Sequence, residues 1–169
     1  EGTQNLYLEH GLLSSRDLGV AILAGACVGG GTTVNWQTCL RTPDDIRDEW
    51  SETSGLPLFS SVRFSRALDR VWSRIGASTD VSFVNGNNSP IERGSEALGF
   101  SWERINRNSR GCDPTQCGYC SYGCRLGGKQ STAVTYLHDA QQTGDCRIFA
   151  DCSAERVMVE NGRAVGVVA

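Results

Sequence analysis

Three consecutive glycines, Gly29, Gly30 and Gly31, interrupt the chain after the small apolar run Leu23-Ala24-Gly25-Ala26-Cys27-Val28. A stretch without Cβ atoms lets the backbone pass close to a flat ligand and present N–H groups to it. Thr32, Thr33 and Asn35 follow at once, placing small hydroxyl and amide groups where they can meet a ligand edge, and Trp36 comes directly after them. Glycine loops also serve tight turns and close packing, so these residues by themselves leave a binding and a structural role open.

Around this loop the sequence alternates helical and extended patterns. Residues 1–19 read as an irregular lead-in anchored by Leu6, Leu8, Leu12 and Leu13, and residues 20–28 as an extended segment entering the glycines. Thr42 is a candidate N-cap, with Pro43 at the first helical position and Asp44 and Asp45 at the positive helix end. That helix is expected to run through Trp50 and stop before Gly55. Phe64, Ala67, Leu68, Val71, Trp72 and Ile75 recur at helical steps up to Gly76. Arg63, Arg66, Asp69, Arg70 and Arg74 fall mostly off that stripe, as a solvated face does.

Turn chemistry marks residues 85–95, with a short helix expected from Ile91 to Leu98. A further helix is expected from Ser131 to Gln142, closed by Gly144, and then a short strand from Arg147 to Ala150. Two strands, Arg156 to Glu160 and Arg163 to Val168, flank Asn161-Gly162, a strong hairpin signal. The mixture points to an α/β (α+β mixed) fold, and 169 residues fit one domain.

Four of the eight cysteines crowd into Cys112, Cys117, Cys120 and Cys124, spaced C-x4-C-x2-C-x3-C. Thiolates at the first three positions match the plant-type iron–sulfur run, and Cys117 with Cys120 makes a plausible zinc or redox pair. Pro114, Gly118 and Gly123 supply turns that let the loop wrap an ion. Against this stand the lack of a second knuckle or histidine pair for zinc, and the need for Cys146 or Cys152 as a distant fourth cluster ligand. Cys27 and Cys39, beside the glycines, read as small buried hydrophobes. Lys129 and Arg125 could meet a phosphate or an acid substrate, but a surface position is the simpler reading.

The order Gly-Gly-Gly-Thr-x-Val-Asn-Trp, then Arg41-Thr42-Pro43 with Trp50, resembles the glucose–methanol–choline (GMC) family of flavin oxidoreductases, and its long-chain fatty alcohol oxidase and dehydrogenase branch most closely. Gly128-Lys129-Gln130-Ser131-Thr132-Ala133 through Tyr136-Leu137, and Ala154 through Val167, resemble later segments of that family. The cysteine-rich loop before Gly128 resembles a segment of the same branch, where it implies no cluster. The resemblance implies FAD as cofactor and part of a GMC-type FAD-binding domain over residues 1–169. Implied flavin contacts fall on Gly25, Gly29, Gly30, Gly31, Thr32, Asn35, Trp36, Gln37 and Thr38, with the backbone at Ala154 bonding the adenine.

The implied reaction is oxidation of an alcohol, long-chain or fatty, to an aldehyde by hydride transfer to flavin. The family's Gly-x-Gly-x-x-Gly fingerprint and its catalytic histidine segment are not found, and His10 and His138 do not stand in the latter's context. The expectation is therefore an internal fragment, inactive alone, whose partners are a small-molecule alcohol and the remainder of the flavoenzyme chain. The alternative is an electron-transfer module holding metal through Cys112, Cys117, Cys120 and Cys124. A net charge of -3 recommends no nucleic acid. Localisation stays open between the cytoplasm and membrane association through other segments.

Overall fold

The computed structural model describes residues 1–113 and 115–169, so the turn expected at Pro114 lies outside the described residues. The chain divides into two compact units, Glu1–His138 and Asp139–Ala169.

The first unit opens with helix α1, Gly2–Leu6, and a 3-10 turn, Leu8–Gly11. This lead-in is less irregular than its sequence suggests. It runs antiparallel to the extended segment before the glycines, through Leu8 N–H to the Ala24 carbonyl at 2.9 Å and Ile22 N–H to the Leu13 carbonyl at 2.8 Å. Its anchor is Tyr7, which is buried and donates its hydroxyl to the Ser121 carbonyl. Leu8 and Leu12 point outward instead, Leu12 being 82% exposed.

The glycines lead into a single helical turn, α2, Gly31–Val34, and then strand β1, Thr38–Cys39. Helix α3, Asp44–Ser54, begins one residue later than the sequence suggests, because Pro43 adopts an extended ψ of 155° and takes the N-cap place expected for Thr42. It ends at Gly55 with φ 69°, a left-handed cap that glycine adopts without strain. Arg47 is buried behind α3, donating from Nε to the Phe59 carbonyl at 2.9 Å and from its terminal nitrogens to Asp44 Oδ1 and Ser65 Oγ. Phe59 meets Trp50 and Phe64 edge-on, at ring separations of 5.8 and 5.4 Å.

Helix α4, Val62–Arg74, is capped by Ser61, whose hydroxyl accepts from the Phe64 N–H. Strand β2, Ala77–Ser78, helix α5, Ser89–Leu98, and strand β3, Asn106–Asn108, follow. The α5 helix starts two residues before the expected Ile91, with Pro90 in its first turn. The three strands form an antiparallel sheet in the order β1-β3-β2, with Arg107 opposite both Thr38 and Ser78. Most of what this unit buries is polar: Gln37, Arg47, Asn108, Lys129, Ser131 and Thr135 lie inside, whereas Val34 and Val81 are among its few buried aliphatics.

Helix α6, Tyr136–Gln142, is shorter than the expected Ser131–Gln142. Residues 131–135 form turns, with the Thr135 hydroxyl on the Ser131 carbonyl and the Thr132 amide turned to Thr32. In the second unit β4, Arg156–Glu160, pairs with β5, Arg163–Val168. Asn161 and Gly162 both have positive φ, 50° and 75°, the signature of a two-residue type I′ turn. A register shift after Met158 pairs Val159 with Ala164 and leaves Val165 as the additional residue. Residues 147–150 form no strand, correcting the expectation from their apolar pattern. Without a ladder partner an extended run leaves its backbone unpaired, so it stays irregular. Among the described residues no helix is long and apolar enough to cross a membrane.

Candidate functional site

The glycine loop is held in a conformation only glycine supplies. Gly30 lies at φ 53°, ψ −138°, and Gly29 at φ 90°. A Cβ on Gly25 would stand 2.5 Å from the carbonyl carbon and oxygen of Gly30, so the two passes of backbone touch there. On Gly29 it would meet Thr33 Oγ1 at 2.5 Å and the Ala133 Cβ at 3.0 Å. Gly31 differs, since nothing lies within 4 Å of its absent Cβ. The loop is packed on the Gly25 and Gly29 side and open at Gly31.

The N–H groups of Gly30, Thr32, Thr33 and Asn35 are bonded inside the loop, to the carbonyls of Cys27, Gly29, Gly30 and Gly31. What the loop offers outward is its open glycine edge and the side chains of Asn35 and Trp36, the latter 66% exposed.

Three clamps hold this shape from the interior. Thr32 Oγ1 accepts from the Thr132 amide at 2.9 Å and shares a 2.9 Å bond with the Thr132 hydroxyl. Lys129 donates from Nζ to the carbonyls of Thr33 at 2.7 Å, Asn35 at 2.7 Å and Cys120 at 2.6 Å. Arg107 donates to Gln37 Oε1 at 2.7 Å, and Gln37, at φ 67° and 1% exposed, passes its own carbonyl to the Asn108 N–H. Burial pushes the Lys129 ammonium below its ordinary pKa of 10.5, with Cys120 and Cys124 pulling the other way.

The nine sequence-implied contacts from Gly25 to Thr38 lie along one stretch of backbone and take different positions in it. Gly25, Gly29 and Gly30 build the backbone, Gly31 leaves it open, and Asn35 and Trp36 face outward. Thr32 and Gln37 direct their side chains inward as struts. Thr38 joins the lining of a 470 Å³ cleft whose walls include Phe83, Ile91, Trp102, Ile105 and Arg107. Ala154 belongs to the second unit and is exposed.

Lys129 corrects the sequence reading: it is 3% exposed, not a surface cation. Its three acceptors lie up to 96 residues away in sequence, so no local pattern announces them. Arg47 and Tyr7 were missed for the same reason. Trp50, which belongs to the same sequence motif as Arg41-Thr42-Pro43, is engaged with Phe59.

The cysteines are not gathered. Among the described residues no group of three or more His, Cys, Asp or Glu stands where it can hold a metal ion, and all eight thiols are free. Cys120 Sγ faces Arg107 at 3.6 Å, and Cys124 Sγ accepts from the Lys129 amide at 3.2 Å.

The model of the GMC oxidoreductase family matches residues 3–169. Long-chain-alcohol oxidase FAO3 of Arabidopsis thaliana is 40% identical over 98% of this chain and 22% of its own length. Long-chain-alcohol oxidase FAO4B of the same plant is 41% identical over 92% of this chain and 21% of its own. The GMC-type oxidoreductase y4nJ of Sinorhizobium fredii is 31% identical over 89% of this chain and 29% of its own. The chain thus spans less than a third of the length of each. No solved structure matches.

Proposed function

This chain belongs to the GMC oxidoreductase family, and on that premise we propose that the intact protein oxidises a long-chain alcohol to the aldehyde, with residues 25–38 forming part of its FAD bed. Members of the family are FAD-binding flavoproteins. The observation that carries the reading is the contrast within the glycine loop. Gly25 and Gly29 lack Cβ atoms because backbone and side chains fill the space, whereas Gly31 faces open space that its own chain does not use. A flat aromatic ligand fits that open edge, with the exposed indole of Trp36 and the Asn35 amide beside it.

Bound FAD supplies the acceptor for the hydride that leaves the carbinol carbon. The residues here hold and orient. Gly29 and Gly30 set the turn, Thr32 and Gln37 brace it from within, and Asn35, whose Oδ1 accepts from the Gln37 N–H, offers its amide nitrogen to the ring edge. Thr38 stands where the bed meets the cleft. That cleft falls in the range of small-molecule sites, roughly 300–1,000 Å³, and its Phe83, Ile91, Trp102 and Ile105 suit a hydrocarbon chain. Ala154 is assigned the backbone contact to adenine. The hydroxyl proton is not assigned an acceptor among these residues: His10 Nδ1 is already paired with the Gln4 carbonyl.

The test is an absorption spectrum of the intact protein with metal analysis. A two-banded flavin spectrum bleached anaerobically by a long-chain alcohol, without stoichiometric metal, is the expected result. Stoichiometric iron or zinc without flavin would overturn it.

A further inference from the structure

We propose that Lys129 is the positioning residue of the flavin bed, its ammonium fixing the backbone that carries Asn35 and Trp36 outward. The inference rests on the flavoprotein reading above. An ammonium has three donors in a tetrahedral array, and here all three are spent on carbonyls: Thr33, Asn35 and Cys120. Two of these acceptors close the helical turn that begins at Gly31, and the third belongs to the cysteine-rich turn. One buried atom therefore ties the glycine loop to the Cys120 segment.

Burying a cation is costly unless its surroundings compensate. No carboxylate does so here: among the described residues Lys129 makes no ion pair, and the side chains that act on its charge are the thiols of Cys120, Cys124 and Cys27 and a second cation, Arg107. An apolar side chain of equal length would fill the same space without that cost. What it could not do is draw two carbonyls, two residues apart, to a single point. That pull turns Val34 inward, where it is buried, and leaves Asn35 and Trp36 exposed.

Arg107 extends the arrangement by one residue through Gln37 Oε1. The loop therefore lies over two cations that meet no acid among the described residues. A bed of that polarity favours an anionic occupant, whether the pyrophosphate or the reduced ring, over a neutral one.

The experiment compares the intact wild-type protein with Lys129→Met and Lys129→Arg. Methionine removes the charge and the donors, whereas arginine keeps the charge and replaces three tetrahedral donors by a planar fork. FAD dissociation is read by the fluorescence of released flavin, the flavin's setting by its visible circular dichroism, and the charge effect by its midpoint potential. Lys129→Arg is expected to weaken FAD binding roughly tenfold or more and alter the dichroism, with the potential near wild type. Lys129→Met is expected to weaken binding as much and to move the potential negative.

Unchanged FAD affinity in either variant overturns the proposal, and so does an unchanged potential in a flavin-bearing Lys129→Met. If Lys129→Met does not fold, Lys129→Arg decides alone. Wild-type protein without flavin would refute the flavoprotein reading itself, whereas a flavin-bearing wild type with indifferent variants refutes only the part given to Lys129.

Discussion

Thr32 and Thr132, one hundred residues apart, face each other hydroxyl to hydroxyl at 2.9 Å, and the amide of Thr132 donates to the same Thr32 oxygen. Thr32 Oγ1 thereby joins the glycine loop to the Gly128–Tyr136 segment beside the Lys129 clamp, and it also donates to the Gly29 carbonyl. Thr32→Val keeps the shape and deletes that atom. It leaves the Thr132 amide short of a partner, whereas the Gly29 carbonyl keeps the Thr32 N–H and the Thr132 hydroxyl, so the loss is about 1–3 kcal/mol by the usual cost of a stranded polar group. Denaturant unfolding of the intact protein should show this loss, and Thr32→Ser should recover most of it. Equal stability of the valine and serine variants would show that the junction carries no weight.

Arg47 and Asp44 form an ion pair of unequal halves. The arginine side chain is 7% exposed and the aspartate 89%. An exposed carboxylate gains little from such a pair, under about 1 kcal/mol, because water screens it. The arginine, by contrast, is buried and also serves the Phe59 carbonyl and Ser65 Oγ. Arg47→Met should therefore cost about 1–3 kcal/mol and Asp44→Ala well under half of that. Hydrogen exchange across residues 44–65 reads the difference directly. Similar losses in both variants would mean that the ion pair, not the carbonyl contacts, holds α3.

The elements legible in the sequence are those whose cause is local. Ser61 caps α4 with its own hydroxyl, Gly55 ends α3, and Asn161-Gly162 closes the hairpin; each acts within four residues of itself. The glycine loop's turn was legible for the same reason, with Gly29 and Gly30 at positive φ. Its bracing was not. Lys129, Arg107 and Thr132 act across sequence separations of 96, 70 and 100 residues, and a lysine with three buried carbonyls has the same local pattern as one in water. Residues 147–150 failed in the opposite sense, since a strand needs a partner that local pattern cannot promise.

Cys39 lies half-buried in β1, and loss of hydration pushes its thiol above the ordinary value of 9.0. The native state thus holds the proton more tightly than the unfolded chain. Its contribution to stability is fully present below pH 9.0 and is lost as the pH rises through the native value. At pH 8 Cys39 should alkylate far more slowly than the exposed Cys152. Peptide mapping after timed iodoacetamide treatment gives both rates in one experiment. Equal rates would place Cys39 in a more open setting than its burial implies.

Gly25 and Gly31 separate the two uses of glycine in this loop. At Gly25 an alanine methyl would stand 2.5 Å from the Gly30 carbonyl, backbone against backbone, with nothing soft to yield. Gly25→Ala should therefore destabilise the fold by about 1–3 kcal/mol, the range for overpacking a close contact, whether or not a ligand is present. At Gly31 the same methyl meets nothing within 4 Å, and the residue already has helical geometry in α2. Replacing glycine by alanine in a helical turn is neutral to favourable for the apoprotein, by roughly 0.5–1 kcal/mol. The methyl instead enters the space assigned to the flavin. Gly31→Ala should leave the melting temperature of the apoprotein unchanged or raised and lower its FAD content, and Gly31→Val should lower that content further. A Gly31→Val protein that keeps a full complement of flavin would move the flavin bed away from this loop.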